Sequence, residues 1–249
     1  MSNIHFFLQG KGGVGKTLTS SFTAQYLKEK SNDIICIDTD SVNHTFSQYK
    51  ALNVMEYNIY NPETSFIDET VIEEMAEFIY KSNNEHIVID NGASSFVPLL
   101  QYLVDNEIIP LLREAGHNVY IHTIITGGQG IEDTAGGLRT IINSFNDVNI
   151  LVWLNYKFGE IHIDGKDFTD WGVYTTNKER INAIIPLDFH ASQLYQNDLN
   201  AMLAKKLTFD EARQSVKLFS RTRLKQMKTQ IFNSLETALY PNIKAIDAE

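Results

Sequence analysis

The sequence predicts an α/β fold, a doubly wound, mostly parallel sheet flanked by helices. Three observations carry that expectation. Short apolar runs alternate with longer helical patterns along most of the chain. The runs are continuously apolar, as strands covered on both faces are. A glycine-rich turn joins the first run directly to the first helical pattern.

The elements follow in order. The first strand is expected at residues 4–8, an apolar stretch too short for a signal peptide that opens straight into glycines. Leu18, Phe22 and Tyr26 then share one helix face at i, i+4 and i+8. A second strand is expected at 34–37. Ile72, Met75, Ala76 and Ile79 repeat at helical spacing, and further strands fall at 86–89 and 119–125. The pair Gly136-Gly137 interrupts an otherwise helical segment, marking close packing or a break. Strands at 150–154 and 183–185 flank the aromatics Phe168, Trp171 and Tyr174, which read as a satellite core under a long loop before they read as an interaction surface. A helix over 192–204 comes next. Thr208-Phe209-Asp210-Glu211 then fits a capping box, so a final long helix is expected over about 208–239. No Pro-rich break, low-complexity linker or internal repeat divides the chain. One domain, 1–249, is expected.

Composition narrows the function classes. With 43% hydrophobic residues among 249, the chain is too apolar for disorder. A net charge of −10 argues against coating nucleic acid or anionic lipid through a global field, while leaving room for a local basic patch. The single cysteine, Cys36, excludes an intrachain disulfide and a multi-cysteine metal site built by one chain. Nothing approaches 18 consecutive apolar residues, so no membrane insertion is expected. The seven histidines show no metal-ligand spacing, and His117 and His122 read as packing or surface residues. A cytoplasmic location is expected.

The chemistry sits in the first turn. Gly10-Lys11-Gly12-Gly13-Val14-Gly15-Lys16-Thr17 fits G-x-x-x-x-G-K-[ST]. Glycines let backbone N–H groups turn inward around a polyphosphate, and the following helix aims its positive end at it. Gly10, Gly12, Gly13, Val14, Gly15, Lys16, Thr17 and Leu18 are the expected nucleotide contacts. Lys16 would reach the β- and γ-phosphates, and the Thr17 hydroxyl would bind Mg²⁺. The run His86-Ile87-Val88-Ile89-Asp90 ends in an acid at the carboxyl edge of the sheet, so Asp90 is a second Mg²⁺ candidate. Gly92 to Ser95 does not complete a G-x-S-x-G nucleophile elbow, and a switch loop is the better reading.

The second loop lysine, Lys11, makes the turn resemble the deviant Walker A loop of the ParA/MinD family of dimerising ATPases. That resemblance implies several roles. Lys11 would cross a homodimer to the partner's nucleotide, and a solvated loop lysine is the alternative. In the segment Cys36-Ile37-Asp38-Thr39-Asp40, Asp40 would orient the attacking water and Asp38 would lie near Mg²⁺. Relatives often carry proline where this chain has Ser41. Asn155-Tyr156-Lys157-Phe158 lacks the acid of a guanine-reading tetrapeptide, so ATP is favoured over GTP. The family places an adenine-contacting asparagine near Asn155; a strand-end turn residue is the alternative.

The segments Leu8-Gln9-Gly10, Asp90-Asn91-Gly92-Ala93, Thr126-Gly127-Gly128-Gln129, Asp133-Thr134, Val152-Trp153-Leu154-Asn155 and Leu207 to Ala212 are similar to those of TraL proteins of conjugative plasmids. The resemblance spans most of the chain, roughly 4–212. It implies a slow, partner-stimulated ATP hydrolase acting in conjugative transfer or mobilisation. Plasmid partition and a nucleotide-dependent scaffold that hardly hydrolyses ATP are the alternatives. A reductase of the nitrogenase iron-protein type would need two cysteines per subunit. The loop at Gly127 to Gly130 is either a partner- or dimer-contacting loop or plain turn chemistry. Finally, Arg213, Lys217, Arg221, Arg223, Lys225 and Lys228 stud the last helix with no acid among them. They read as a docking surface for DNA or an acidic partner, or as a solvated basic face.

Overall fold

A seven-stranded parallel sheet forms the centre of the computed structural model, which describes residues 1–61, 66–188 and 192–241. In chain order the strands are β1 Asn3–Phe7, β2 Ile34–Asp38, β3 Met55–Glu56, β4 Tyr60–Asn61, β5 Phe66–Ile67, β6 His86–Asp90, β7 Asn118–Thr126, β8 Asn149–Asn155, β9 His162–Ile163, β10 Lys166–Asp167 and β11 Ile181–Leu187. The helices are α1 Lys16–Lys30, α2 Glu69–Tyr80, α3 Phe96–Asp105, α4 Ile108–Glu114, α5 Ile131–Ser144, α6 Gly172–Thr175, α7 Gln193–Ala204, α8 Phe209–Ser215 and α9 Leu218–Leu239. The main sheet runs β11-β8-β7-β1-β6-β2-β3; β4/β5 and β9/β10 are separate antiparallel hairpins.

The order explains the doubly wound topology. From β1 the chain builds β2, β3 and β6 on one side and β7, β8 and β11 on the other. The strands are apolar throughout because helices cover both faces. Ile4, Phe6, Ile87, Ile89 and Ile121 pack beneath α2 to α5 with Ile72, Leu99 and Leu138. Phe7, Val88, Leu151 and Trp153 face the other way, beneath α1, α7, α8 and α9, with Phe22, Leu199, Phe209 and Leu224. Successive residues of β1 thus feed two cores, each strand face burying its own set.

Six strands fall where the apolar runs place them. The edge strand β3 was not legible: two residues pair in register only through Ile37–Met55 and Asp38–Glu56. The C-terminal helix needs correction. Thr208 and Glu211 do form a capping box, but the helix they start ends at Ser215. Val216 and Lys217 adopt extended backbone, and α9 starts afresh at Leu218. Val216 packs against the core at this corner, where β-branching favours extended geometry. Leu224, Met227, Ile231 and Leu235 bury the expected stripe of α9. The aromatic group is no satellite: Phe168 and Trp171, buried edge-to-face at 5.3 Å, join the main core on the α2–α5 side of the sheet, with Tyr174 packed against it. Among the described residues, no helix is long and apolar enough to cross a membrane.

Candidate nucleotide-binding site

The loop between β1 and α1 lies at the carboxyl edge of the sheet, where ligands of open α/β sheets bind. Gly13 and Gly15 hold φ of +75° and +107°, conformations that side chains with a Cβ resist. Gly10 is needed for another reason: a Cβ there would stand 2.9 Å from the Phe96 ring. Gly12, Gly13, Gly15, Lys16, Thr17 and Leu18 line a cleft of about 520 Å³, closed on its far side by Asp40, Val42, Asn43, Thr45, Ala93 and Ser94. The cleft therefore collects the glycine loop, the segment after β2 and the segment after β6.

Two expected metal-binding residues meet. The Thr17 hydroxyl donates to Asp90 Oδ2 at 2.6 Å, and Ser20, one turn further along α1, donates to Oδ1 at 2.7 Å. Asp90 is completely enclosed, and burial raises its pKa to about 7 despite these two hydrogen bonds and the nearby Lys16. Its strand neighbour in register is Asp38, whose charge pushes the same way. A buried carboxylate and a hydroxyl, both hard oxygen donors beside a second acid, fit Mg²⁺. Ser20 was not read from the sequence; its signal is a hydroxyl at i+3 from Thr17 on one helix face.

Asp38 itself is engaged. Oδ1 accepts from the Asp40 backbone N–H at 2.9 Å, and Oδ2 accepts from those of Phe46 at 2.9 Å and Ser47 at 3.0 Å. Burial raises its pKa, and the three N–H donors oppose that shift. Asp40 lies at the cleft wall, with Oδ1 accepting from the Val42 and Asn43 backbones at 3.1 and 3.2 Å. It packs over Gly92, where a Cβ would come within 3.0 Å of its carboxyl carbon. Ser95 is held by Asn91 Oδ1 at 2.9 Å, as loop scaffolding.

The two lysines differ in setting. Lys16 is 8% exposed, and burial lowers its pKa while Asp90 and Asp40 pull it back up. Lys11 is exposed, its ammonium paired with Asp133 at 2.8 Å in the first turn of α5. An exposed pair of this kind contributes about 0–1 kcal/mol, so Lys11 leaves it at little cost.

Asn155 is engaged at both ends of its amide. Its Nδ2 donates to the Val14 carbonyl at 2.8 Å, and its Oδ1 accepts from the Lys157 backbone at 3.1 Å. A Cβ at Gly15 would touch this amide at 3.0 Å, so the asparagine buttresses the loop from behind. Beside it opens a smaller cleft of about 160 Å³, lined by Leu18, Asn155, Lys157, Leu187, Gln196, Leu199, Asn200 and Leu203. The α7 residues of this cleft were not picked out from the sequence, because nothing in their local pattern separates them from an ordinary helix face. The glycines after β7 have a packing reason. A Cβ at Gly127 would stand 2.2 Å from the Gly159 carbonyl oxygen, and one at Gly128 2.7 Å from that of Phe158.

Comparison with known proteins agrees with this geometry. A family model described as an AAA domain matches residues 2–108. Two Escherichia coli proteins, each described as Protein TraL, are 42% identical over 241 residues, covering 96% of this chain and 99% of the relative. Among solved structures, the septum site-determining protein MinD of Pyrococcus horikoshii, complexed with Mg-ADP, matches with a TM-score of 0.50 and 17% identity across 100% of both chains. A chain of the MinC:MinD cell division protein complex of Aquifex aeolicus matches with a TM-score of 0.50 and 14% identity over 93% of this chain and 96% of that one. These two likenesses concern the fold, and the sequence identity to TraL supplies the family. The chain belongs to the TraL family, and its fold is like that of MinD.

Proposed function

We propose that this chain is a cytoplasmic ATPase that dimerises around ATP and drives a step of conjugative plasmid transfer or mobilisation. One observation carries the nucleotide reading: Lys16, Thr17 and Asp90 converge beneath a loop whose glycines take left-handed backbone. The loop N–H groups would cradle the phosphates, with Lys16 pairing the outer ones. Thr17 and Asp90 would hold Mg²⁺, which when bound neutralises charge on the phosphates. We assign Asp38 to shaping the 40–47 loop in place of direct metal contact, since three backbone donors already occupy its oxygens. Asp40 would orient the attacking water; its present hydrogen bonds lie within its own turn and would tighten onto substrate on closure. The base would enter the cleft between Leu18 and α7, with Asn155 as its back wall and Lys157, Gln196 and Asn200 nearest its edges.

The dimer reading rests on Lys11, which stands exposed on the loop in a weak surface ion pair with Asp133. Lys11→Ala is expected to leave ATP affinity within about threefold and to cut turnover by roughly 10³-fold, the scale of a cation supplied in trans. Light scattering with and without ATP, beside phosphate release, measures both. An unchanged dimer fraction would remove the cross-dimer role. In the same assays Asp40→Ala should abolish turnover while an ATP-bound dimer persists. ATP-driven dimerisation in a parent with no measurable turnover would favour the scaffold reading. Genes flanking this one separate transfer from partition: a relaxase or a secretion-channel set points to the first, a centromere-binding protein to the second.

The basic C-terminal surface is smaller than the sequence implies. Arg223 pairs with Asp198 at 2.6 Å, Arg213 with Asp210 at 3.5 Å, and Lys228 with Glu29 and Asp210. Lys217, Arg221 and Lys225 have no acidic partner within salt-bridge distance among the described residues, and Lys217 and Arg221 flank Leu218 and Phe219, 70% and 76% exposed, in the sequence. A DNA-binding role therefore rests on three cations per chain, about six per dimer, with a log–log salt slope near −5. Titration of duplex DNA at two salt concentrations, with and without ATP, should show that slope. Arg221→Glu/Lys225→Glu should abolish binding; indifference to the double reversal would leave an acidic protein as the partner of this corner.

A further inference from the structure

Gln9 sits just ahead of the phosphate loop, outside the cleft, with a completely buried side chain. Its amide spans three elements. Nε2 donates to the Ile124 carbonyl at 2.9 Å and the Thr123 hydroxyl at 3.3 Å on β7, and to the Thr134 carbonyl at 3.2 Å in the first turn of α5. Oε1 accepts from the Lys11 backbone N–H at 3.4 Å. The phosphate cradle itself has no use for a carboxamide here, because cradling is done by backbone groups further along the loop.

A second observation concerns α5. A Cβ at Gly137 would stand 2.2 Å from Gln9 Oε1 and 2.8 Å from its amide carbon, whereas Gly136 has only an arginine tip near it, at 4.0 Å. Glycine weakens a helix interior, so the helix accepts that weakness at Gly137 to make room for the Gln9 amide. A third observation places the same helix beside the lysine's tip: Asp133, next to Thr134, pairs weakly with the Lys11 ammonium at 2.8 Å. Lys11 thus meets α5 twice, its main chain tied through the buried Gln9 amide and its side chain resting in an exposed pair that it can leave.

We infer that Gln9 is a positioning residue for Lys11: its buried carboxamide bolts the start of the phosphate loop to α5 and sets the direction in which the Lys11 side chain leaves the loop. The functional consequence rests on the reading that Lys11 reaches the partner's nucleotide. The second half of the loop is anchored separately, Val14 by Asn155 and Thr17 by Asp90. Loosening Gln9 therefore frees Lys11 without dismantling the phosphate site.

The test compares full-length wild type, Gln9→Met, Gly137→Ala, Lys11→Ala and Gln9→Met/Lys11→Ala. Methionine keeps the volume and removes the hydrogen bonds. Gly137→Ala keeps Gln9 but takes its space, and decides the matter if Gln9→Met does not fold. Gln9→Met and Gly137→Ala should each exchange the Lys11 amide hydrogen at least about tenfold faster, bind ATP within about threefold of wild type, and lose about tenfold in ATP-driven dimer affinity. Gln9→Met should add nothing in the Lys11→Ala background, because residues acting through one another are not additive. Unaltered Lys11 exchange in both variants, or a full additive loss in the double variant, overturns the inference. A Lys11→Ala protein that dimerises normally instead removes the cross-dimer reading, and Lys11 amide exchange then still decides whether Gln9 fixes the loop.

Discussion

Lys16→Ala is expected to weaken ATP binding by at least about a hundredfold, equivalent to roughly 3 kcal/mol from two lost charge-assisted hydrogen bonds. The ammonium opens α1 at the base of the cleft, nearly enclosed, and among the described residues its one hydrogen bond is a long one, 3.4 Å, to the Lys11 carbonyl. Burial lowers its pKa, and the carboxylates of Asp90 and Asp40 oppose that shift. It is therefore a desolvated cation awaiting an anion, and a phosphate gains most from such a group because little water must be stripped from it on binding. The fold should survive the change, since no core contact depends on the side chain. Calorimetric titration with ATP reads the affinity, and far-ultraviolet circular dichroism checks the fold. A well-folded variant that retains micromolar affinity would mean that the cleft is not a phosphate site.

The parts of this site that were legible in the sequence are those encoded within one turn or one strand. The glycine loop, Lys16 and Thr17 occupy eight consecutive positions, and Asp90 ends an apolar run at the edge where ligands bind. The strands were readable because both sheet faces are covered, which leaves their apolar runs unbroken. What was not legible depends on pairs that lie beyond a single turn or strand. Nothing near Asp38 announces that the N–H groups of Phe46 and Ser47 consume its carboxylate. Nothing near Asn155 shows that its amide props up Val14. Gly137 reads locally as a helix defect, and only the Gln9 amide against it gives the glycine a purpose. The break between α8 and α9 is of the same kind: the capping box states where a helix starts, but Val216 turning into the core decides where it stops. Opposite charges, one within α8 and two across helices, likewise removed half of the basic set on the C-terminal segment.

In the nucleotide-free chain, Asp90→Asn is expected to raise stability at pH 8 and to abolish the tightening of ATP binding by Mg²⁺. Asp90 is fully enclosed beside Asp38, and its pKa stands at about 7 against an ordinary 3.8. A raised carboxylate pKa means the folded chain holds a proton that the unfolded chain has already released between these values. Stability from this group is therefore fully present below about pH 4, is lost as pH rises towards 7, and stays lost above it. The shift of about three units sets a ceiling on the order of 4 kcal/mol. Asparagine is nearly isosteric, keeps an acceptor for Thr17 or Ser20 and carries no charge, so the penalty at high pH disappears with the substitution. Thermal melts of wild type and variant between pH 5 and 8 should diverge as pH rises, the variant melting higher at the alkaline end. Mg²⁺ with ATP should reverse the order, because a divalent cation offsets the buried charge only where there is a charge to offset. Metal-dependent affinity in the wild type should also weaken below pH 7, as the proton competes for the same oxygens. A wild type that gains stability over the variant from pH 5 to 8 without metal would show that Asp90 is already charge-compensated by Lys16 alone, and the need for a cation at this site would go with it.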